Sequence, residues 1–320
     1  MIQELISNNP LVFILVAIAS LFLMAKASNL AVYSVSRYAR KLGLSDCIIG
    51  ILVVAIAASI PELVSSIEGV TLGEPGIVLG TIFGSNLAGL ALVLGLSTIF
   101  KKKISTKSKV LVGTNFLIWL LVMMPFIFLI DGVLSRIDGG LLILSFFIYI
   151  MFLWKKEGSL GKVKKDVKLE NIWKDGLIFS GNLIVILISA MTLVFAARQI
   201  ANWIGISSFL VALTVIAIGA TVPDIMVSIK SIKQGHQGVG YGNVIGSMVV
   251  KALLFLGVIA LIKPITFNIL KLGNTVLFRT LMITFVLWWA SKNSIGRKEG
   301  IILLVMYLLF LIIEIITVVL

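Results

Sequence analysis

One cysteine, Cys47, and one histidine, His236, are all that 320 residues contain of these two side chains. A lone cysteine excludes an intrachain disulfide and a cysteine-rich metal site. The lone histidine, in a glycine-containing loop, reads as a solvated loop residue rather than a ligand. Charge is scarce as well: Asp, Glu, Lys and Arg together make 13% of the chain, with 14 acidic against 27 basic residues. No stretch is left over for a soluble domain. The first apolar run, after Asn8, Asn9 and Pro10, has no basic segment ahead of it and no evident cleavage site behind it. It is expected to stay as a span and not to be removed as a signal peptide.

What is present is hydrophobic. Apolar residues make 59% of the chain and the mean hydropathy is +1.15, far outside the soluble range. Runs long enough to cross about 30 Å of hydrocarbon as helices recur along the whole length. The predicted fold class is an all-α polytopic membrane protein with ten spans: 11–33, 46–67, 77–100, 109–130, 139–154, 177–197, 206–229, 239–262, 275–291 and 300–320. Nine or eleven spans are the alternatives, because the run after Gly139 is short. The net charge of +13 does not point to nucleic acid, since the basic residues lie in short loops between spans and not on one water-exposed face.

Lys and Arg also set the orientation. With the N-terminus outside, the inside loops carry Arg37, Arg40 and Lys41, the Lys101–Lys109 group, the run from Lys155 to Lys174, Lys230, Lys233, Lys292, Arg297 and Lys298. The outside loops and span ends keep only Arg136, Arg198, Lys263, Lys271 and Arg279. Both termini are therefore expected outside a cell membrane, with the Lys-rich middle loop in the cytoplasm. Membrane lipid is the expected surrounding, with the chain working as a monomer.

An offset of 162 residues aligns the chain with itself: Gly43 with Gly205, Pro61 with Pro223, Ser66 with Ser228, Gly84 with Gly246, Ser85 with Ser247 and Gly95 with Gly257, without a gap. Such register marks an internal repeat. Five spans per half is an odd number, so the halves enter the membrane from opposite sides, an inverted repeat with a site expected near the midplane. The repeats are placed at 1–154 and 177–320, joined by a linker at 155–176.

The two best-matched segments are AIAASIPELVSSI, 55–67, and AIGATVPDIMVSI, 217–229. In each a carboxylate follows a proline inside an apolar run, and an ionisable residue there points to function. Ser59, Glu62 and Ser66 share one helical face, as do Thr221, Asp224 and Ser228. Pro61 and Pro223 each remove a backbone donor and free a carbonyl. Carboxylates, hydroxyls and carbonyls together are ligands for a hard cation. The plain alternative is that both prolines only kink their helices and the carboxylates reach water. Each motif is followed by a second: GTIFGSNLAGLALVLG, 80–95, and GNVIGSMVVKALLFLG, 242–257. Their paired glycines allow close helix approach. Asn243, Ser247 and Lys251 lie on one face of the second copy, where the first offers Thr81, Ser85 and Gly89.

These motifs resemble the cation/calcium antiporter superfamily, in particular its sodium/calcium exchangers. The resemblance implies alternating access, with the first and sixth helices sliding against a core of the other eight. It implies ion-binding roles for Glu62 and Asp224 (the calcium or other metal ligands), for Ser59, Thr221, Ser85, Ser247 and Asn243, and for the carbonyls of Ala55 and Ala217. It also implies a secondary-active antiporter that by default exchanges Ca²⁺ for Na⁺ or H⁺, with no bound cofactor and no enzymatic reaction. Departures bear on the substrate. Ala58 and Ala220 replace hydroxyl residues, Gly89 and Lys251 stand where a polar or acidic residue is usual, and Asp224 is shorter than the usual Glu. Two carboxylates and one ammonium sum to −1, which argues for a monovalent cation or a proton-coupled variant, with Lys251 replacing a bound cation. The alternative for Lys251 is that it snorkels to an interface. Lys26 and Glu314, expected near interfaces, are given no role. A reading from another class, an intramembrane hydrolase using Glu62 and Asp224 as a carboxylate pair, fits less well because nothing resembles an activated nucleophile.

Overall fold

The structure, a computed structural model, describes residues 10–41, 48–106, 111, 113–158, 172–233 and 235–319. In chain order the helices are α1 (Pro10–Lys41), α2 (Ile49–Ala58 with its continuation Ile60–Thr71), α3 (Pro75–Phe100), α4 (Asn115–Phe128), α5 (Arg136–Gly158), α6 (Ile172–Ile204), α7 (Ser208–Lys233), α8 (Gln237–Ile262), α9 (Gly273–Ser291) and α10 (Arg297–Val319). Among the described residues seven helices are long and apolar enough to cross a membrane, or eight if the bent α2 is one span. In α1 and α4 only the shorter segments Leu11–Ala27 and Asn115–Phe128 pass as apolar. Helices outrun several predicted spans: α1 continues to Lys41 and α2 to Thr71, since a helix need not stop where its residues turn polar. Of the expected linker, α5 covers the residues up to Gly158 and α6 those from Ile172, while 159–171 lie outside the described residues.

The apolar character is turned outward as well as inward. Phe22 on α1, Phe147 on α5, Phe195 on α6 and Leu308 on α10 are each more than half exposed. A water-soluble monomer does not present such patches on helix after helix, so these faces meet lipid. Of the seven helices long and apolar enough to cross a membrane, α3 is the most buried, over 89% of its apolar stretch, against 28% for α5 and for α10. α1 and α6 pack against each other through Ala17, Met24, Ala27, Ala190, Leu193 and Ala197. At 32 and 33 residues they reach about 48 Å at 1.5 Å per residue, more than the hydrocarbon is thick, so they tilt or protrude.

The helix pairs α3–α7 and α2–α8 cross at glycines. A Cβ on Gly84 would lie 2.5 Å from the Leu213 carbonyl of α7, and one on Gly246 would lie 2.3 Å from the Ile51 carbonyl of α2. Larger residues would push these helices apart. The 162-residue offset also relates finer features. π-helical turns occupy Ile49–Val54 and Ala212–Ile216, and again Gly89–Val93 and Val250–Phe255. Shifted by 162, the first and third fall on 211–216 and 251–255. Four short strands follow suit: β1 (Lys103–Ser105) pairs with β4 (Ser294–Gly296), and β2 (Val133–Leu134) pairs with β3 (Ile265–Thr266), both antiparallel.

The strands mark the two ends of the bundle. At the β1–β4 end, Lys101 Nζ donates to the Ile232 carbonyl at 3.3 Å, the Ser105 N–H donates to Gln237 Oε1 at 2.6 Å and Lys233 sits over the Phe100 ring. Lys103, Lys292, Arg297 and Lys298 belong to the same end by sequence and pairing. Near the β2–β3 end, Glu74 pairs with Arg198 at 3.2 Å and accepts from Ser208 Oγ at 2.8 Å.

Candidate cation site

The two proline motifs fold differently. In α2 the helix breaks at Ser59 (φ −92°, ψ 2°) and resumes at Ile60 with a 44° bend. Pro61 has no N–H to give the preceding turn, which permits the break. Glu62 consequently stands in the first turn of a new helix, where the unsatisfied backbone N–H groups favour negative charge. In α7, Pro223 lies inside the continuous segment Ala217–Lys233. There the Thr221 hydroxyl donates to the Ala217 carbonyl at 2.7 Å, bracing the turn from the side.

The four glycine-crossed helices bring both carboxylates to one buried place. Lys251 Nζ of α8 lies 2.6 Å from Glu62 Oε1 and 3.3 Å from Asp224 Oδ2, and all three residues are 2% exposed or less. Lys251 therefore bridges the two motifs and does not reach toward an interface. Asp224 has further donors: its Oδ1 accepts from Asn243 Nδ2 at 3.1 Å and Ser247 Oγ at 3.4 Å. Asn243 Nδ2 also donates to Ser228 Oγ at 3.0 Å, and Ser59 Oγ donates to Ser247 Oγ at 3.4 Å. Glu62 is less fully engaged, because its Oε2 is buried without a hydrogen-bond partner. The asymmetry is chemical: one carboxylate is saturated with donors and the other keeps an oxygen free.

The structure thus gathers Glu62, Asp224, Lys251, Asn243, Ser247 and Ser59. Other expected ligands are turned to their own helices. Thr221 Oγ1 is held by the Ala217 carbonyl, Ser85 Oγ donates to the Ile82 carbonyl at 3.3 Å, and the Ala55 carbonyl accepts the Ser59 N–H at 3.2 Å. Beside Lys251 lies a void of about 10 Å³, lined among others by Ser85, Asn86, Gly89, Asp224 and Ser247. Asn86, absent from the sequence-based candidates, is 1% exposed with neither amide atom hydrogen-bonded. Its signal was the Gly-Ser-Asn run 84–86, which puts Asn86 three residues before Gly89 on a helix. Among the described residues no three His, Cys, Asp or Glu side chains gather, so a cation here would complete its shell with hydroxyl, amide, carbonyl or water oxygens.

Two charged residues stand apart from this site. Arg279, expected at a span end, is fully buried in α9 beside the packed ring pair Phe83–Phe126, with 5.0 and 4.9 Å to their centroids, which are themselves 4.5 Å apart. A cation near two aromatic rings gains some attraction from them, and packing within the bundle, not position along the chain, decides that this arginine is enclosed. Glu314, in the last turns of α10, is also buried.

The family model described as sodium/calcium exchanger protein matches residues 12–155 and 176–316. A putative antiporter, CaxA of Alkalimonas amylolytica, is 30% identical over 309 residues, covering 93% of this chain and 96% of that protein. The sodium/calcium exchanger MaX1 of Methanosarcina acetivorans is 26% identical over 341 residues, covering 93% and 97%. A solved structure of the sodium-calcium exchanger NCX_Mj, soaked with Na⁺ and Sr²⁺, superposes with a TM-score of 0.73 at 28% identity, covering 93% of this chain and 96% of that one.

Proposed function

The chain belongs to the sodium/calcium exchanger family, whose members are transporters and not enzymes, and from that premise we propose that it is a secondary-active cation antiporter in which Lys251 holds the place of a bound cation. The observation that carries this reading is the ammonium lodged between Glu62 and Asp224. With Lys251 present the three charges sum to −1, which one monovalent cation neutralises. A dehydrated Ca²⁺ would leave the same site at +1 and short of oxygen ligands. The transported species is accordingly a monovalent cation such as Na⁺, exchanged for a second cation or a proton. Entry of the cation requires the ammonium to leave Glu62, whose free Oε2 is the first oxygen open to it.

The architecture proposed is ten spans in two inverted five-helix repeats, 1–154 and 177–320, around a linker at 155–176. It is supported by the recurrence of π turns at the 162-residue offset and by the pairing of each first-half strand with a second-half strand. The basic β1–β4 end is assigned to the cytoplasm of a cell membrane by the positive-inside rule, which puts both termini outside. α1 and α6, paired with each other, are the elements that slide against the rest.

A second reading, Ca²⁺ exchanged for Na⁺ or H⁺, is favoured by the names of the relatives MaX1 and NCX_Mj and requires Lys251 to be displaced altogether. Proteoliposomes loaded with defined ions separate the two. Na⁺ or H⁺ flux without Ca²⁺ uptake supports the monovalent reading, and Ca²⁺ uptake driven by an outward Na⁺ gradient overturns it.

A further inference from the structure

If a cation is to occupy the space between Glu62 and Asp224, the Lys251 ammonium has to go somewhere, and the membrane interior offers it no water. The structure provides room on one side. The void beside Lys251 measures about 10 Å³, roughly one water or one ammonium group. It exists because residue 89 is glycine: a Cβ built there meets no atom within 4 Å. Gly89 is also the position that the 162-residue offset pairs with Lys251, so the lysine faces the gap left by its own counterpart. The void is a built polar site as well. Asn86, 1% exposed, lines it with an amide that has no hydrogen-bond partner at either Oδ1 or Nδ2. A buried amide with both ends unmet is costly and calls for an explanation.

Resting on the exchanger reading above, we propose that Asn86 and the open space at Gly89 form a docking place for the Lys251 side chain, which its ammonium enters when a transported cation takes its position at Glu62. Asn86 Oδ1 accepts the N–H that Glu62 gives up, and Asp224, which lines both places, stays within reach of the lysine throughout. The ammonium keeps its proton and moves by a side-chain rotation. The charged groups facing Lys251 are Glu62 from α2 and Asp224 from α7; α3 contributes only the neutral Ser85 and Asn86. Asn86 is thus a positioning residue, setting how easily the cation displaces the lysine.

The test is a double-mutant cycle on cation flux in proteoliposomes, with Asn86→Leu and Gly89→Ala each made in the wild-type chain and in Lys251→Ala. Gly89→Ala adds only a methyl to open space, so it keeps the fold intact if Asn86→Leu does not. In the wild-type chain each substitution raises the KM for the transported cation about ten-fold or more, the loss of one charge-assisted hydrogen bond or of its room, with the maximal rate changed less. In Lys251→Ala neither substitution alters KM. An equal effect with and without Lys251, or no effect on KM in the wild-type chain, overturns the proposal while wild-type flux persists. Absence of any cation flux or cation binding in the wild-type protein overturns the exchanger reading itself, and this proposal with it.

Discussion

Replacing Lys251 by methionine removes the charge while keeping most of the volume, and the geometry sets the size of the response. The ammonium contacts both carboxylates, at 2.6 and 3.3 Å, in a place closed to water. Removing one partner of a buried charge set typically costs about 3–5 kcal/mol. Asp224 retains Asn243 and Ser247 as donors, so the loss falls mainly on Glu62, left with no partner on either oxygen. A cation that restores the countercharge recovers that energy as affinity. At about 1.4 kcal/mol per factor of ten, the gain is roughly 100-fold or more, largest for Ca²⁺ because the emptied site carries −2. Thermal unfolding of detergent-purified protein reads both effects, since a ligand at 100 times its Kd stabilises by about 2.7 kcal/mol. Lys251→Met is expected to melt well below wild type in chelator and to recover with Ca²⁺, whereas wild type responds little. Equal melting temperatures in chelator, with no Ca²⁺ effect on the variant, would refute the reasoning.

Three further outcomes follow from other parts of the fold. Gly246→Ala puts a methyl against the Ile51 backbone, 2.3 Å from its carbonyl oxygen, and is expected to lose about 1–3 kcal/mol in thermal unfolding and most transport; Gly140→Ala, which meets nothing within 4 Å, is expected to be neutral in both. Arg279→Met removes a fully buried guanidinium that has no hydrogen-bond partner, so stability should stay level or rise by about 1–4 kcal/mol, and a clear loss would show that the two phenylalanine rings compensate the charge. Glu74→Gln weakens a partly exposed pair with Arg198 worth about 0–1 kcal/mol, so melting should barely change while exchange quickens as α6 is released from the α2–α3 turn; an unchanged rate would exclude a latch there.

The sequence made the large features legible because they rest on period and composition. An ungapped repeat, a doubled proline-carboxylate motif and loops rich in lysine pointed to a polytopic bundle with Glu62 and Asp224 in its interior. What it could not express was local turn geometry. The π turn before each motif rotates the face that follows by adding a residue to the turn, and no residue type announces it. Nor does the sequence tell that α2 breaks at Ser59 while α7 runs on through Pro223, so that Ser59 and Ser247 meet while Thr221 turns back to its own helix. The direction of a long side chain was equally hidden: spacing alone allowed Lys251 to snorkel, and packing sends it between the carboxylates. Asn86 escaped notice because its significance lies in partners it does not have, which only three-dimensional structure records. Charge counting puts Arg279 at a span end, because it does not see that the residue is buried beside the Phe83 and Phe126 rings.

Under the proposed function, Glu62 and Asp224, bridged by Lys251, form the place through which a cation is exchanged. The most direct test of that assignment is isotopic Na⁺ exchange in proteoliposomes containing wild type, Glu62→Gln or Asp224→Asn, each checked for folding by its melting temperature. Exchange is expected in wild type, with a loss of at least about 100-fold in both variants and melting preserved. Exchange at the wild-type rate in either variant would contradict it.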